Sequence, residues 1–165
     1  MTKNVLLDRL KEFTEVATKD VICPVRLQKG DKEQKYRAAD VYKMRLPDGT
    51  SATKKVPYII HQVITGRDVQ TPGELCEGSA VVRSVFAVYH EDEQEGSLLL
   101  LELMETLRVA LLKQVVIGKQ FELDLQAGLE TLTYTENTAP YYAGEMISTW
   151  KLPAVKREVP ELWQD

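Results

Sequence analysis

The residues best suited to catalysis or metal binding are two histidines, His61 and His90, and two cysteines, Cys23 and Cys76. The histidines fall in separate predicted strands, and no cysteine or carboxylate lies at ligand spacing from either. We therefore favour strand histidines with local hydrogen bonds over a metal site. Cys23 could act as a nucleophile with His61 as its base, but no activating motif surrounds it.

Two further segments resemble ligand sites in composition only. The acidic residues of 91–95 could converge on calcium, but their spacing does not match an EF-hand loop, and carboxylates before a helix interact favourably with its positive end. Gly118-Lys119 resembles the end of a phosphate loop, but no upstream glycine stands at the required spacing. We interpret Gly118 as a helix C-cap.

Aromatic residues concentrate near the last two predicted strands, at Tyr134, Tyr141, Tyr142 and Trp150. They could form a platform for base stacking or a ligand, but few lysines and arginines accompany them. Packing between the sheet and a neighbouring element is the favoured interpretation. We therefore predict no catalytic, cofactor-binding or metal-binding residue and no cofactor, and we expect the chain not to be an enzyme.

Two segments of the chain have the apolar spacing that is typical of helices. Residues 4–19 are amphipathic, and residues 97–117 hold fourteen apolar residues, with Ser97 as the predicted N-cap. That second helix has too little polar surface for a lone surface helix, so we expect it to be covered on more than one side. Its four charges make it a poor bilayer span.

The remaining patterns predict strands separated by loops at 25–35 and 66–78. The strands are expected at 36–46, 57–65, 79–90, 121–125, 129–136 and 142–152. Pro47-Asp48-Gly49 is a turn sequence, so the first two strands should form a β-hairpin. The order of elements predicts an α+β fold: one mostly antiparallel sheet with an N-terminal helix and a long central helix packed on it.

Length and composition fit one domain over residues 1–153 followed by a tail at 154–165, which contains Leu162-Trp163. Only two cysteines are present, which suits a reducing cytosol, with one optional disulfide left open. The first residues lack the basic-then-apolar order of a secretion signal, so export by that route is not expected.

Charge is divided unevenly along the chain. Residues 1–70 hold 14 Lys and Arg against 9 Asp and Glu, whereas residues 71–165 hold 7 against 16, and the net charge is −4. The acidic total argues against a protein that coats nucleic acid. The two halves could interleave within one molecule, which is the favoured interpretation, or the basic surface of one copy could meet the acidic surface of the next.

Four segments together resemble small tail proteins of tailed phages and prophages, and the nearest group is the tail terminator or head-tail joining proteins. The resemblance covers residues 55–153, and its most distinctive part is the segment 140–145 before Trp150 and Pro153. The other three segments are 56–60, 85–89 and 100–108.

This resemblance implies a structural protein that forms a six-fold ring at the head-proximal end of the tail tube. Its partners would be further copies of itself, the tail tube protein and either the sheath or the head connector, in a virion or tail-like particle assembled in the host cytoplasm. Neither a membrane nor a specific nucleic acid is expected as a partner. Another collar or connector role would fit the same pattern.

Two other classes of function remain as alternatives. One is a small ligand- or peptide-binding module that uses the open face of the sheet, and the other is a hydrolase or nuclease. For assembly into a ring, the candidate contact segments are the loops 47–56 and 66–78 and the tail after Pro153.

Overall fold

The computed structural model describes residues 2–48 and 52–158. It confirms the α+β class, with helices on one face of a sheet. The longer helices are α1 (Lys3–Thr18) and α3 (Glu93–Gln114), and α2 (Ala52–Lys55) is a single turn. The strands are β1 (Cys23–Val25), β2 (Lys35–Arg37), β3 (Asp40–Lys43), β4 (Tyr58–Val69), β5 (Cys76–Tyr89), β6 (Val116–Ile117), β7 (Phe121–Leu123), β8 (Glu130–Thr133) and β9 (Tyr141–Val155).

The main sheet has seven strands in the order β3-β4-β5-β9-β7-β6, and β8 pairs with the first half of β9. Its centre is formed by the three longest strands, which are antiparallel neighbours. Strands β1 and β2 form a separate antiparallel pair. The sheet is mixed because β3 runs parallel to β4, with Asp40 opposite Tyr58 and Lys43 opposite His61.

The predicted hairpin at residues 36–65 is therefore wrong. Residues 38 and 39 interrupt the expected first strand, so β2 and β3 belong to different sheets. After Lys43 the chain turns at Met44, whose φ is 64°, and returns to the start of β4 before running in the same direction as β3. The alternation of apolar and polar residues along a strand shows which side chains are buried, but it does not show the direction of the strand relative to its neighbour. Part of the predicted turn, Gly49, lies outside the described residues.

The sheet buries one face under α1 and α3. Alternate residues of β4, β5 and β9 point into this core, where Ile59 lies opposite Phe86 and Ala80 lies opposite Trp150. Helix α1 contributes Leu6, Leu7 and Leu10, which confirms the amphipathic helix predicted there. Each of these large apolar side chains contributes roughly 1.5–3 kcal/mol when it is fully buried.

Helix α3 begins one turn earlier than predicted. Asp92, not Ser97, is its N-cap: the backbone N–H of Glu95 donates to Asp92 Oδ1 at 2.9 Å. Ser97 lies inside the helix and donates to the carbonyl of Glu93. Asp92 therefore caps the helix, and Glu93 and Glu95 lie in its first turn, so the predicted favourable interaction of the acidic run with the positive helix end is retained although the run belongs partly to the helix.

The end of α3 also differs from the prediction. The helix stops at Gln114 because Val115 adopts a φ of 61°, and the N–H of Val115 bonds to the carbonyl of Leu111. Gly118 is not a C-cap. It lies with Lys119 at positive φ in the turn between β6 and β7, where left-handed backbone suits a tight turn.

The segment predicted as a loop at 66–78 is largely strand. Strands β4 and β5 continue as a paired ribbon to Val69 and Cys76, which leaves only residues 70–75 between them. Strand β1 likewise begins before the polar loop that was expected from Val25. Strand β9 continues through Pro153 to Val155, into the expected tail, and Leu162-Trp163 lies outside the described residues.

Candidate assembly surfaces

His61 lies in the core between β4 and α1 and is fully buried. Its Nε2 is 2.8 Å from Thr14 Oγ1, and its Nδ1 is 2.7 Å from Ser84 Oγ. Burial lowers the pKa of the His61 imidazole to about 4. A serine beside a neutral histidine could suggest a nucleophile and its base, but Ser84 is only 3% exposed, so the arrangement serves the packing of α1 on the sheet. The predicted strand position of His61 is confirmed, but the side chain is fully buried and its hydrogen-bond partners lie on other elements.

Cys23 does not meet His61 as a catalytic pair. Its thiol is buried and donates a long hydrogen bond to the carbonyl of Val21. Burial raises the pKa of Cys23 to about 11, so the thiolate that a nucleophile requires is disfavoured. Cys76 is half-buried, and both cysteines are free thiols.

The other candidate ligands remain separate from one another. His90 Nδ1 accepts a hydrogen bond from the backbone N–H of Asp92. Within residues 2–48 and 52–158, no three His, Cys, Asp or Glu side chains converge as a metal site. None of the described helices is long and apolar enough to cross a membrane.

The predicted aromatic cluster divides between the two faces of β9. Trp150 is buried under the helices, where its indole N–H donates to Ser148 Oγ, and Tyr142 packs against Gly96 of α3. Tyr141 points the other way and contacts the ring of Tyr89 at 5.7 Å between centroids. These rings therefore do not form one stacking platform.

The first surface available for assembly is the free edge of β4. Strand β3 covers only the first four residues of β4, and among the described residues no strand pairs with the outer side of residues 64–69. All six are exposed, and Ile64 and Val69 remain 49% and 46% accessible. An open strand edge offers unpaired N–H and C=O groups to another chain.

The second surface is the outer edge of β8 on the other side of the sheet. Every residue of β8 is exposed, and in the described part of the chain β8 pairs only with β9. Leu132 is 52% accessible and sits on the face of the sheet that the helices do not cover. This edge is short and apolar at its middle.

A polar cluster holds the β8 edge in place. The Arg83 guanidinium of β5 forms an ion pair with Glu145 of β9 and donates to the hydroxyl of Tyr134 at 2.9 Å. The Tyr134 hydroxyl donates to Glu145 Oε2 at 3.0 Å. These bonds raise the pKa of Arg83 and lower that of Glu145, because each favours the charged form. Sequence spacing could not reveal this cluster, since its members come from three segments.

The two edges differ in the charges that surround them. Beside β4, the Lys3 ammonium lies over Gly66, and Arg67 belongs to the free stretch itself. Arg45 is also close to β4, because the backbone N–H of its neighbour Met44 bonds to the carbonyl of His61. Lys43, at the end of β3, is paired with Asp8. Asp68 belongs to the same stretch and Glu77 lies opposite Val69, so Lys3, Arg45 and Arg67 leave the β4 edge with a small excess of basic charge.

Acidic side chains surround the opposite edge. Glu130 belongs to β8, Glu136 follows it, and Glu122 and Asp124 lie in and after β7, where Glu122 pairs with Lys151 at 3.6 Å. Strands β3 and β4 of the first half and strands β6 to β9 of the second half lie on opposite sides of β5. The strands of the two halves do not alternate in the sheet, but the halves do fold against each other: α1 packs on α3, and the Arg26 guanidinium donates to the Tyr141 hydroxyl at 2.6 Å.

A groove of about 630 Å³ lies between the start of α3 and the segment after β8. Leu98 and Leu101 form one wall, Tyr134 and Glu136 lie on the other, and Tyr142 contributes as well. The buried Tyr142 hydroxyl has no hydrogen-bond partner among the described residues. The groove has one apolar and one polar wall, and its described lining residues form no converging catalytic set.

No protein-family model matches the chain, and a search of curated proteins returns no match.

Proposed function

We propose that this chain is a structural protein of a phage tail or a phage-derived tail-like particle, and that its role is that of a tail terminator. Copies join head to tail into a closed ring, a homo-hexamer, at the head-proximal end of the tail tube. The tail tube protein and the head connector are its proposed partners, the virion is its proposed location, and it carries out no catalysis.

The observation that carries the proposal is the pair of free strand edges with opposite charge. A ring that closes requires a heterologous contact, in which one surface binds a different surface of the next copy. The basic edge at 64–69 and the acidic edge at β8 satisfy that requirement by backbone pairing and by charge. The resemblance of residues 55–153 to tail terminator proteins supports the same role.

The edges can be tested by cross-linking. A double variant, Thr65→Cys with Leu132→Cys in a Cys76→Ser background, places one thiol on each edge. With a short bismaleimide we expect a ladder of multiples of the chain that ends at the ring size. Each single variant is the matched control and should stop at a cross-linked pair or below, because it has only one edge thiol.

Absence of a ladder at concentrations where native mass spectrometry detects oligomers would contradict the edge contact. A monomer under all conditions, including addition of tail tubes, would contradict the ring itself. Another collar or connector protein would give the ladder but would not change tube length.

A further inference from the structure

Helix α3 has an outer apolar face that the fold leaves uncovered. Its inner face is buried on the sheet through Leu100, Leu103, Met104, Leu107 and Leu111. On the outer side Leu98 is 51% accessible, Leu101 46%, Val109 38% and Leu112 37%. Helix α1 covers a second side of α3, as expected, but this outer side stays uncovered within the described part of a single copy.

Charged residues are placed within this outer face. Arg108 donates two hydrogen bonds to the Glu105 carboxylate, at 2.9 and 2.7 Å, and the two side chains remain 35% and 42% exposed. Glu102 and Lys113 are exposed along one flank of the same face, and neither forms an ion pair with any described residue. The face thus holds as many acidic as basic groups.

Two pairs of these residues are placed symmetrically about a point between Thr106 and Leu107, whereas Leu98, Glu102, Val109 and Lys113 have no such counterpart on the outer face. Leu101 and Leu112 are equally far from that point, and so are Glu105 and Arg108. In an antiparallel pair of helices related by a two-fold axis at this point, each residue lies opposite its counterpart in the other copy. Leucine would then meet leucine, and glutamate would meet arginine.

In the same antiparallel arrangement, the flank that carries Glu102 and Lys113 is complementary in charge to the same flank of the second copy. A two-fold axis places the same flank of both helices side by side, so Glu102 of one copy comes near Lys113 of the other. A parallel pairing would instead place like charges together, which is destabilising. If the partner were instead a strongly acidic or strongly basic protein, two of the four charged residues on this face would lie opposite charges of their own sign, so such a partner is disfavoured.

We propose that the outer face of α3 binds α3 of a second copy, antiparallel and about a two-fold axis, so that the free protein forms dimers. The stretch from Leu98 to Leu112 is about 21 Å long at roughly 1.5 Å per residue, so the interface is small. It dissociates on dilution, as small interfaces do. This contact goes beyond the proposed function: it is isologous, whereas the ring contact is heterologous, and it uses none of the edge residues.

Analytical ultracentrifugation of the full chain over a range from about 1 to 200 µM, concentrations at which a small interface dissociates, measures the dimer. Arg108→Glu places acidic groups opposite one another, so we expect a dissociation constant at least about 10-fold higher. The double variant Glu105→Arg with Arg108→Glu keeps the complementarity and should restore the wild-type constant. Val16→Asp, at an apolar site of α1 that is 68% exposed, is the matched control and should change nothing.

Orientation is tested by mixing two single-cysteine chains in a Cys76→Ser background. A chain with Leu101→Cys should form a disulfide with a chain carrying Leu112→Cys, whereas Leu101→Cys alone should not, because its two copies would lie eleven residues apart along the helix pair. Dimers of the Leu101→Cys chain with itself, a wild type that stays monomeric, or a folded double variant that fails to restore dimerisation would each overturn the proposal. Circular dichroism verifies that each variant is folded.

Discussion

His61 has the side chain of a general base, but the hydroxyls of Thr14 and Ser84 and the packing of α1 leave it no route to a substrate. Its residue type could be read from the sequence, and its strand position predicted a buried site. Its partners could not be predicted, because Thr14 lies on another element 47 positions away. The hydrogen bonds that join Thr14, His61 and Ser84 form only because α1 packs on the sheet.

Burial of neutral His61 predicts a loss of stability in acid. Its pKa is about 4 in the folded chain against 6.5 for the free side chain, so the unfolded chain takes up the proton first as pH falls. Between pH 6.5 and 4 the free energy of unfolding should fall by up to about 3 kcal/mol. Urea denaturation at several pH values measures this, with His61→Gln as control. A variant with the same pH slope as wild type in this window would contradict the assignment.

The two thiols should differ in reactivity. Cys23 is buried with a pKa raised to about 11, whereas Cys76 lies at the start of β5 and is half-buried. We expect Ellman's reagent to modify one thiol per native chain at neutral pH and two after denaturation. Cys76→Ser should abolish the native reaction. Rapid modification of Cys23 in the native protein would show that its burial is wrong.

At the scale of elements, periodicity predicted α1, α3 and most strands of the main sheet, because apolar spacing reflects which side faces the core. It could not predict strand direction, so the parallel β3–β4 pair was missed. It also misassigned Gly118, since a glycine after an apolar helix suggests a C-cap, whereas the helix ended at Val115 through a positive φ that valine rarely adopts.

The contact between α3 and β9 predicts an unusual response at Gly96. A Cβ at this position would come within 2.3 Å of the Tyr142 ring and 3.0 Å of His90 Cβ. Gly96→Ala should therefore lower the free energy of unfolding by about 1–3 kcal/mol, although alanine favours helices by about 1 kcal/mol. Thermal and urea denaturation measure the change.

Tyr142→Ala provides the control for Gly96. In that background only His90 Cβ stays close to the added Cβ, at 3.0 Å, so Gly96→Ala should cost much less than in the wild type, and the difference between the two backgrounds gives the coupling. An equal loss in both backgrounds would mean that the ring of Tyr142 is not the cause.

At the scale of the whole molecule, part of the charge difference between the two halves of the sequence becomes a difference between two edges of the sheet, while α1 packs on α3 and Arg26 bonds to Tyr141. The strand order keeps residues 40–69 on one side and residues 116–155 on the other. Composition could reveal the imbalance but not this separation, which requires the topology. The predicted contact segments need revision for the same reason: residues 66–69 and 76–78 belong to a strand pair, and the β8 edge was not foreseen.

Salt should weaken ring closure if charge draws the edges together. We expect the fraction of rings to fall as ionic strength rises from about 0.05 to 0.5 M, because exposed charges are screened over roughly 10 Å at 0.1 M. Native mass spectrometry or mass photometry measures the fraction. Arg67→Glu should reduce rings at low salt, and Lys32→Glu, at an exposed position between β1 and β2, is the matched control. Rings that are indifferent to both salt and Arg67→Glu would exclude the electrostatic part of the contact.

The central claim, that this chain ends tail growth as a ring, is tested most directly by the length of tails that assemble without it. Electron microscopy of particles produced with the gene deleted should show overlong tubes, and added purified protein should restore the normal length distribution. Tails of normal length without the protein would contradict the terminator role.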